Sequence, residues 1–151
     1  MSFSQYVVFN LGSEEYGLQI EYAQEIIRIP NEITKIPNMP SYFEGMINLR
    51  GKVLPVIDLK KRFEYDQTER VVDGRLLILD LEDILLGVIV DDVSEVIMID
   101  DEAVEGFKFD IPGITMNSIN GIAKLENRLI MLLDTLKIKG EIFEYNNQLG
   151  G

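Results

Sequence analysis

Hydrophobic residues in this chain gather in short runs separated by glycine, proline, asparagine and acidic residues, and no long stretch keeps a 3.6-residue helical period. Tyr6, Val7, Val8 and Phe9 form one such run, and residues 10–15, with Gly12 and Ser13, predict the turn into a second strand over residues 16–20. The pair reads as a hairpin. Residues 25–29 predict a third strand that stops at Pro30, because proline cannot donate a ladder hydrogen bond. In the loop over residues 31–40, Pro37 and Pro40 interleave with Ile33, Ile36 and Met39, which suits a segment lying against the sheet rather than a free linker. Residues 46–49 and 52–58 flank Arg50-Gly51 and predict a second hairpin, with Gly51 supplying the positive φ of a tight turn. Many short strands with frequent turn residues place the chain in the all-β class, as small antiparallel barrels with only short helical turns.

The pattern occurs twice. Tyr16-Gly17-Leu18 and Gln24-Glu25-Ile26-Ile27 return as Leu86-Gly87-Val88 and Ser94-Glu95-Val96-Ile97 at an offset of 70. Gly45-Met46-Ile47-Asn48-Leu49-Arg50-Gly51 returns as Gly121-Ile122-Ala123-Lys124-Leu125-Glu126-Asn127 at an offset of 76, and the echo runs on to Asp58 and Asp134. Two similar units imply two similar sub-structures on a shared interface, and the differences between copies are where function concentrates. The predicted organisation is one domain over residues 1–140 with copies at about 6–63 and 76–138, sequential or intertwined, and a flexible tail at 141–151. Asn127 is expected to take the left-handed conformation that Gly51 takes in the first copy. Asp58 and Asp134 each precede a short basic segment and predict helix N-caps.

Composition narrows the chemistry. Cysteine and histidine are both absent, which removes disulfides, thiolate metal sites, cysteine nucleophiles and the usual general base near neutral pH. A formal charge of −12 disfavours nucleic acid and anionic membrane surfaces, since both are bound through summed Lys and Arg attraction. The apolar runs are short and interrupted, and the first residues carry no basic segment, so neither export nor membrane insertion is predicted and a cytoplasmic location is expected.

Four features invite a chemical reading. Asp58 and Asp134, from duplicated β-rich units, suggest the shared-proton dyad of a carboxylate hydrolase, but neither is followed by the glycine that brings such carboxylates together. Acidic groups at Asp80/Glu82/Asp83, Asp91/Asp92 and Asp100/Asp101/Glu102 lack the spaced pattern of a calcium loop and read as solvated turns. Gly45, Gly51 and Gly87 make no phosphate-cradling array, so no cofactor is predicted. Arg50, at a hairpin tip where the second copy has Glu126, admits a structural and a partner-binding role, with Glu25 as its ion-pair partner. Ala23, Ile26, Val93 and Val96 belong to the repeated strands, and any that face the seam between copies would line a groove suited to a partner helix.

These residues resemble those of the CheW family, the coupling proteins of bacterial chemotaxis. The resemblance runs through Tyr16-Gly17-Leu18, Gln24-Glu25-Ile26-Ile27, Gly45 to Gly51, Pro55-Val56-Ile57-Asp58-Leu59 and Gly87-Val88-Ile89-Val90-Asp91, over about residues 4–138. It implies two SH3-like five-stranded β-barrels and no catalysis. It implies an adaptor that binds the regulatory domain of the histidine kinase CheA and the cytoplasmic tip of methyl-accepting chemoreceptors, and is recruited to membrane-associated receptor arrays. By position, Arg50, Asn48, Gly45 and Glu25 fall on residues tied to receptor and kinase coupling, and Val96 and Ala23 beside the groove that receives the receptor helix; Gly51, Ile26 and Gly87 join them as partner-binding candidates. Ala23 is smaller than the branched residue expected there. An isolated CheA-type regulatory segment is the weaker relative, because no kinase or phosphotransfer sequence accompanies the match; CheV-type adaptors differ by a receiver domain not seen here.

Overall fold

A computed structural model describes residues 2–106 and 118–140; the expected tail at 141–151 lies outside the described residues. The strands are β1 (Phe3–Leu11), β2 (Glu14–Gln19), β3 (Ala23–Arg28), β4 (Phe43–Leu49), β5 (Lys52–Asp58), β6 (Arg75–Asp80), β7 (Leu85–Val90), β8 (Asp92–Asp100), β9 (Val104–Gly106), β10 (Ile119–Leu125) and β11 (Arg128–Leu133). One short helix, α1 (Leu59–Arg62), follows β5, and residues 135–140 are helical after β11. The first turn is tighter than the sequence suggests, with only Gly12 and Ser13 between β1 and β2.

The two copies are intertwined. One sheet runs β8-β1-β2-β11-β10-β9 and the other β3-β6-β7-β5-β4, so each copy's first hairpin is inserted into the other copy's sheet. Where the visiting hairpin meets the resident one, β2 pairs parallel with β11 and β7 pairs parallel with β5. The expectation of purely antiparallel barrels is therefore corrected: a second strand placed beside another second strand runs the same way. Among the described residues the expected five strands per barrel hold for one sheet only, because in the other the chain leaves β8, makes a 3-10 turn at Asp101–Ala103 and adds a short sixth strand, β9, at the opposite edge. Among the described residues neither ladder closes fully, but in each case one stretch of chain reaches both edges. Beyond β3, Thr34 makes a bridge to Met46 on β4, with N···O distances of 2.9 and 2.8 Å, so the 31–40 segment touches the sheet at Thr34 and through Ile33, whereas Ile36 is exposed.

Alternation along the strands explains why this arrangement holds. On β1, Tyr6 and Val8 enter one sheet's own core while Val7, Phe9 and Leu11 enter a core between the sheets. Seventy residues later on β6, Leu76 and Ile78 take the first role and Leu77 and Leu79 the second. Strands buried on both faces must be apolar throughout, which is how residues 6–9 and 76–79 read. Each side chain fully removed from water contributes about 1.5–3 kcal/mol, so the core between the sheets outweighs any surface ion pair in holding them together.

β-bulges recur at the same offsets. The ladders skip Gln24 opposite β6 and Ser94 opposite β1, and again Glu44 in β4 and Asn120 in β10. In the β4–β5 turn Arg50 (φ 50°) and Gly51 (φ 86°) are both left-handed, as a two-residue hairpin turn requires. Asn127 is not at positive φ, contrary to expectation, and with no glycine beside it the second hairpin turns without a left-handed pair.

Gly45 has φ 140°, and a Cβ built there would stand 2.2 Å from the Thr34 carbonyl oxygen, whereas a Cβ on Gly51 would meet nothing within 4 Å. Gly45→Ala should therefore destabilise by on the order of 3 kcal/mol and Gly51→Ala by about 1 kcal/mol, measured by urea unfolding. Equal losses would mean that close approach is not what Gly45 provides.

Candidate functional site

Arg50 projects from the β4–β5 tip and donates to Glu25 on β3, joining the two edges of the five-stranded sheet. The ion pair expected from the sequence is therefore present. Glu25 directly follows the bulge at Gln24, a device that re-aims the next side chain. Its duplicate Glu95 follows the bulge at Ser94 and pairs with Arg128 at 2.8 Å. Arg128 also grips Glu15 through two hydrogen bonds of 2.7 and 3.0 Å, which hold the Glu15 carboxyl below its ordinary range. Arg128 lies 76 residues beyond Lys52, not Arg50, so aligned positions alone did not reveal it.

Ile26 stands directly opposite Leu77, and Val96 directly opposite Val7. Opposed residues share a face, and Leu77 and Val7 belong to the core between the sheets, so both branched residues lie on the seam side of their strands. They sit on edge strands and remain 47% and 53% exposed. Ala23 and its duplicate Val93 pack against the seam core and floor this face. On the second copy's side the apolar surface extends through Met98, opposite Gln5, and Phe3, which are 62% and 51% exposed.

The other positions singled out divide into surface and interior. Asn48 is exposed, and its side chain accepts the Gly51 N–H at 2.9 Å, fixing the turn that carries Arg50. Gly45 and Gly87 are buried, Gly45 under Thr34 and Gly87 against Leu76. They shape the sheet behind the surface rather than presenting atoms to it.

The two aspartates behave as caps. Asp58 accepts the amides of Lys60 and Lys61 at 2.9 and 3.3 Å, and Asp134 accepts that of Lys137 at 3.1 Å. Asp58 is almost wholly buried, and that burial pushes its carboxyl above the ordinary range, with nearby Glu44 adding to the rise and the capping amides opposing it. Asp91, read from sequence as a solvated turn, instead pairs with the buried Lys60 at 2.8 Å and accepts the Gly12 amide at 2.7 Å, tying α1 to the β1–β2 turn. Lys60, once buried, requires such a counter-ion. Among the described residues no group of three or more acidic side chains is placed to hold a metal ion.

Residues 5–142 match the CheW-like domain. The chain is 36% identical over 138 residues to the chemotaxis protein CheW of Treponema pallidum, covering 89% of this chain and 81% of the relative. It is 34% identical over 128 residues to that of Bacillus subtilis, covering 85% and 81%. The crystal structure of the scaffolding protein TtCheW from Thermoanaerobacter tengcongensis superposes with a TM-score of 0.78 at 40% identity, covering 87% of this chain and 89% of that one.

Three outcomes follow from the geometry. A double-mutant cycle of Arg50→Ala and Glu25→Ala should show a coupling of about 0.2–1 kcal/mol, because Arg50 is largely exposed; zero coupling in urea unfolding would mean the pair does not hold the edges together. Asp58→Ala should cost about 1–2 kcal/mol and Asp58→Asn clearly less, since asparagine also caps. The raised Asp58 carboxyl means the folded protein binds this proton more readily than the unfolded chain, so its contribution falls as pH rises from the ordinary carboxylate range through the folded pKa. On acidification from pH 7 the unsubstituted protein should gain stability relative to Asp58→Asn; a constant difference, or a relative loss, would contradict the raised pKa.

Proposed function

The chain belongs to the CheW-like family, and from that premise we propose that it couples the cytoplasmic tip of a chemoreceptor to the regulatory domain of a CheA-type histidine kinase. It is a chemotaxis scaffold, not an enzyme. The observation that carries the receptor part is the pair Ile26 and Val96, branched, exposed and on the seam side of two edge strands. An amphipathic helix laid along the seam would cover them, as apolar grooves receive helices elsewhere. The Ala23 methyl, already packed on the seam core, forms the floor beneath such a helix.

For the kinase part, the β4–β5 hairpin presents Arg50 at the outer end of its sheet, with Asn48 and Gly51 setting the turn and Glu25 orienting the guanidinium. Affinity in this reading comes from apolar and main-chain contacts at sheet edges, and the charged pair fixes geometry. Among the described residues no helix is long and apolar enough to cross a membrane, so the reading brings the chain to receptor arrays through its partners. A hydrolytic role for Asp58 and Asp134 gains nothing from the site, since both carboxylates are spent on capping amides.

Isothermal titration of the full chain against a CheA regulatory domain, and separately against a receptor-tip hairpin, tests the proposal. Ile26→Asp and Val96→Asp should each weaken hairpin binding by about tenfold or more without abolishing kinase binding. Arg50→Glu should weaken coupling while changing stability by about 1 kcal/mol or less, as expected for an exposed ion pair. Saturable binding to neither partner by a folded protein would overturn the reading, and unfolding of Arg50→Glu would make Arg50 structural.

A further inference from the structure

Arg28 and Arg75 face each other directly across the β3–β6 ladder. Like charges so opposed repel and cost stability. The usual remedy, an ion pair to a carboxylate, is not made among the described residues: Arg75 donates to the main-chain oxygens of Asp73 at 2.6 Å and Gly74 at 3.2 Å, the Asp73 side chain makes no ion pair with either arginine although it lines the same cleft, and Arg28 has no partner. The chain is not short of acid, with 26 Asp and Glu against 14 Lys and Arg. Nearby Arg70 has its own counter-ion in Glu44 at 3.0 Å, and Arg128 is matched by two glutamates. The Arg28–Arg75 pair is thus without an ion pair in a protein otherwise rich in carboxylates.

Two further observations give the pair a direction. Arg28 lies two residues along β3 from Ile26, so the two side chains share the seam face. In the second copy the equivalent opposed pair is Met98 and Gln5, which is uncharged and partly apolar. One end of the seam face is therefore basic and the other apolar, although the fold repeats. The basic end opens on a cleft of about 430 Å³, lined also by Pro30, Asn31 and Arg70, with Asp73 its one acidic side chain against three arginines.

We propose that Arg28 and Arg75 form a clamp for an acidic side chain on the helix that lies along the seam, and so set which way that helix runs. This deepens the receptor reading above and rests on it. A carboxylate seated there would accept paired N–H groups from guanidinium and cancel the cross-strand repulsion. The helix would carry its acidic residue toward Arg28 and its apolar residues toward Met98.

The test is titration of the full chain with the receptor-tip hairpin, paired with thermal melting, for Arg28→Glu and Arg28→Gln. Arg28→Glu should melt higher than the unsubstituted chain, because an Arg–Arg pair becomes a Glu–Arg pair, and yet bind the hairpin about tenfold more weakly. Arg28→Gln should fall between on both readouts. A hairpin with one glutamate changed to lysine should recover affinity for Arg28→Glu, which identifies the clamped residue. Unchanged affinity in Arg28→Glu would overturn the clamp and leave the groove standing, as would a variant that both melts lower and binds less. Failure of the unsubstituted chain to bind the hairpin would overturn the groove itself.

Discussion

The structure depends on two hairpins, β1–β2 and β6–β7, that each bury both faces and each belong to the other copy's sheet. Phe9, Leu18, Leu77 and Val88 fill the space between the sheets, while Val8 and Ile78 fill the sheets themselves. Because a hairpin shared in this way cannot be withdrawn without opening two cores, the sheets are locked in relation to one another. A binding surface built across their junction inherits that rigidity, which limits the ordering cost a partner must meet.

The same exchange leaves β3 and β8 as edge strands. Exposed edges are normally a liability for pairing with other chains. Here the seam side of each edge carries one exposed branched residue, Ile26 or Val96, and the bulges at Gln24 and Ser94 break the regularity of both edges while turning Glu25 and Glu95 toward arginines. Duplication supplies the symmetric frame. Departures from it, Arg50 against Glu126 and Arg28 against Met98, are where the two copies present different chemistry.

Much of this was legible in the residues. The strands, the repeat offsets, the N-caps at Asp58 and Asp134 and the Arg50–Glu25 pair all follow from local pattern or from comparing one copy with the other. The hairpin exchange was not, because sequential and intertwined arrangements use the same alternation of apolar residues and differ only in long-range pairing. The opposition of Arg28 and Arg75 was hidden for a related reason, since only sheet register brings those positions together, and the Lys60–Asp91 pair depends on the packing of α1 against β7. Asn127 misled because its tolerance of the left-handed conformation permits that turn without requiring it.

The most direct measurement of the central claim is amide hydrogen exchange of the full chain with and without a receptor-tip hairpin. The edge strands β3 and β8 are the segments whose amides a helix on the seam would shield, whereas β1 and β6 are already protected inside the fold. The account predicts slowed exchange in β3 and β8 together, with the β4–β5 and β10–β11 hairpins unchanged. Protection confined to those outer hairpins, or to one edge strand alone, would contradict a docking surface that spans the seam.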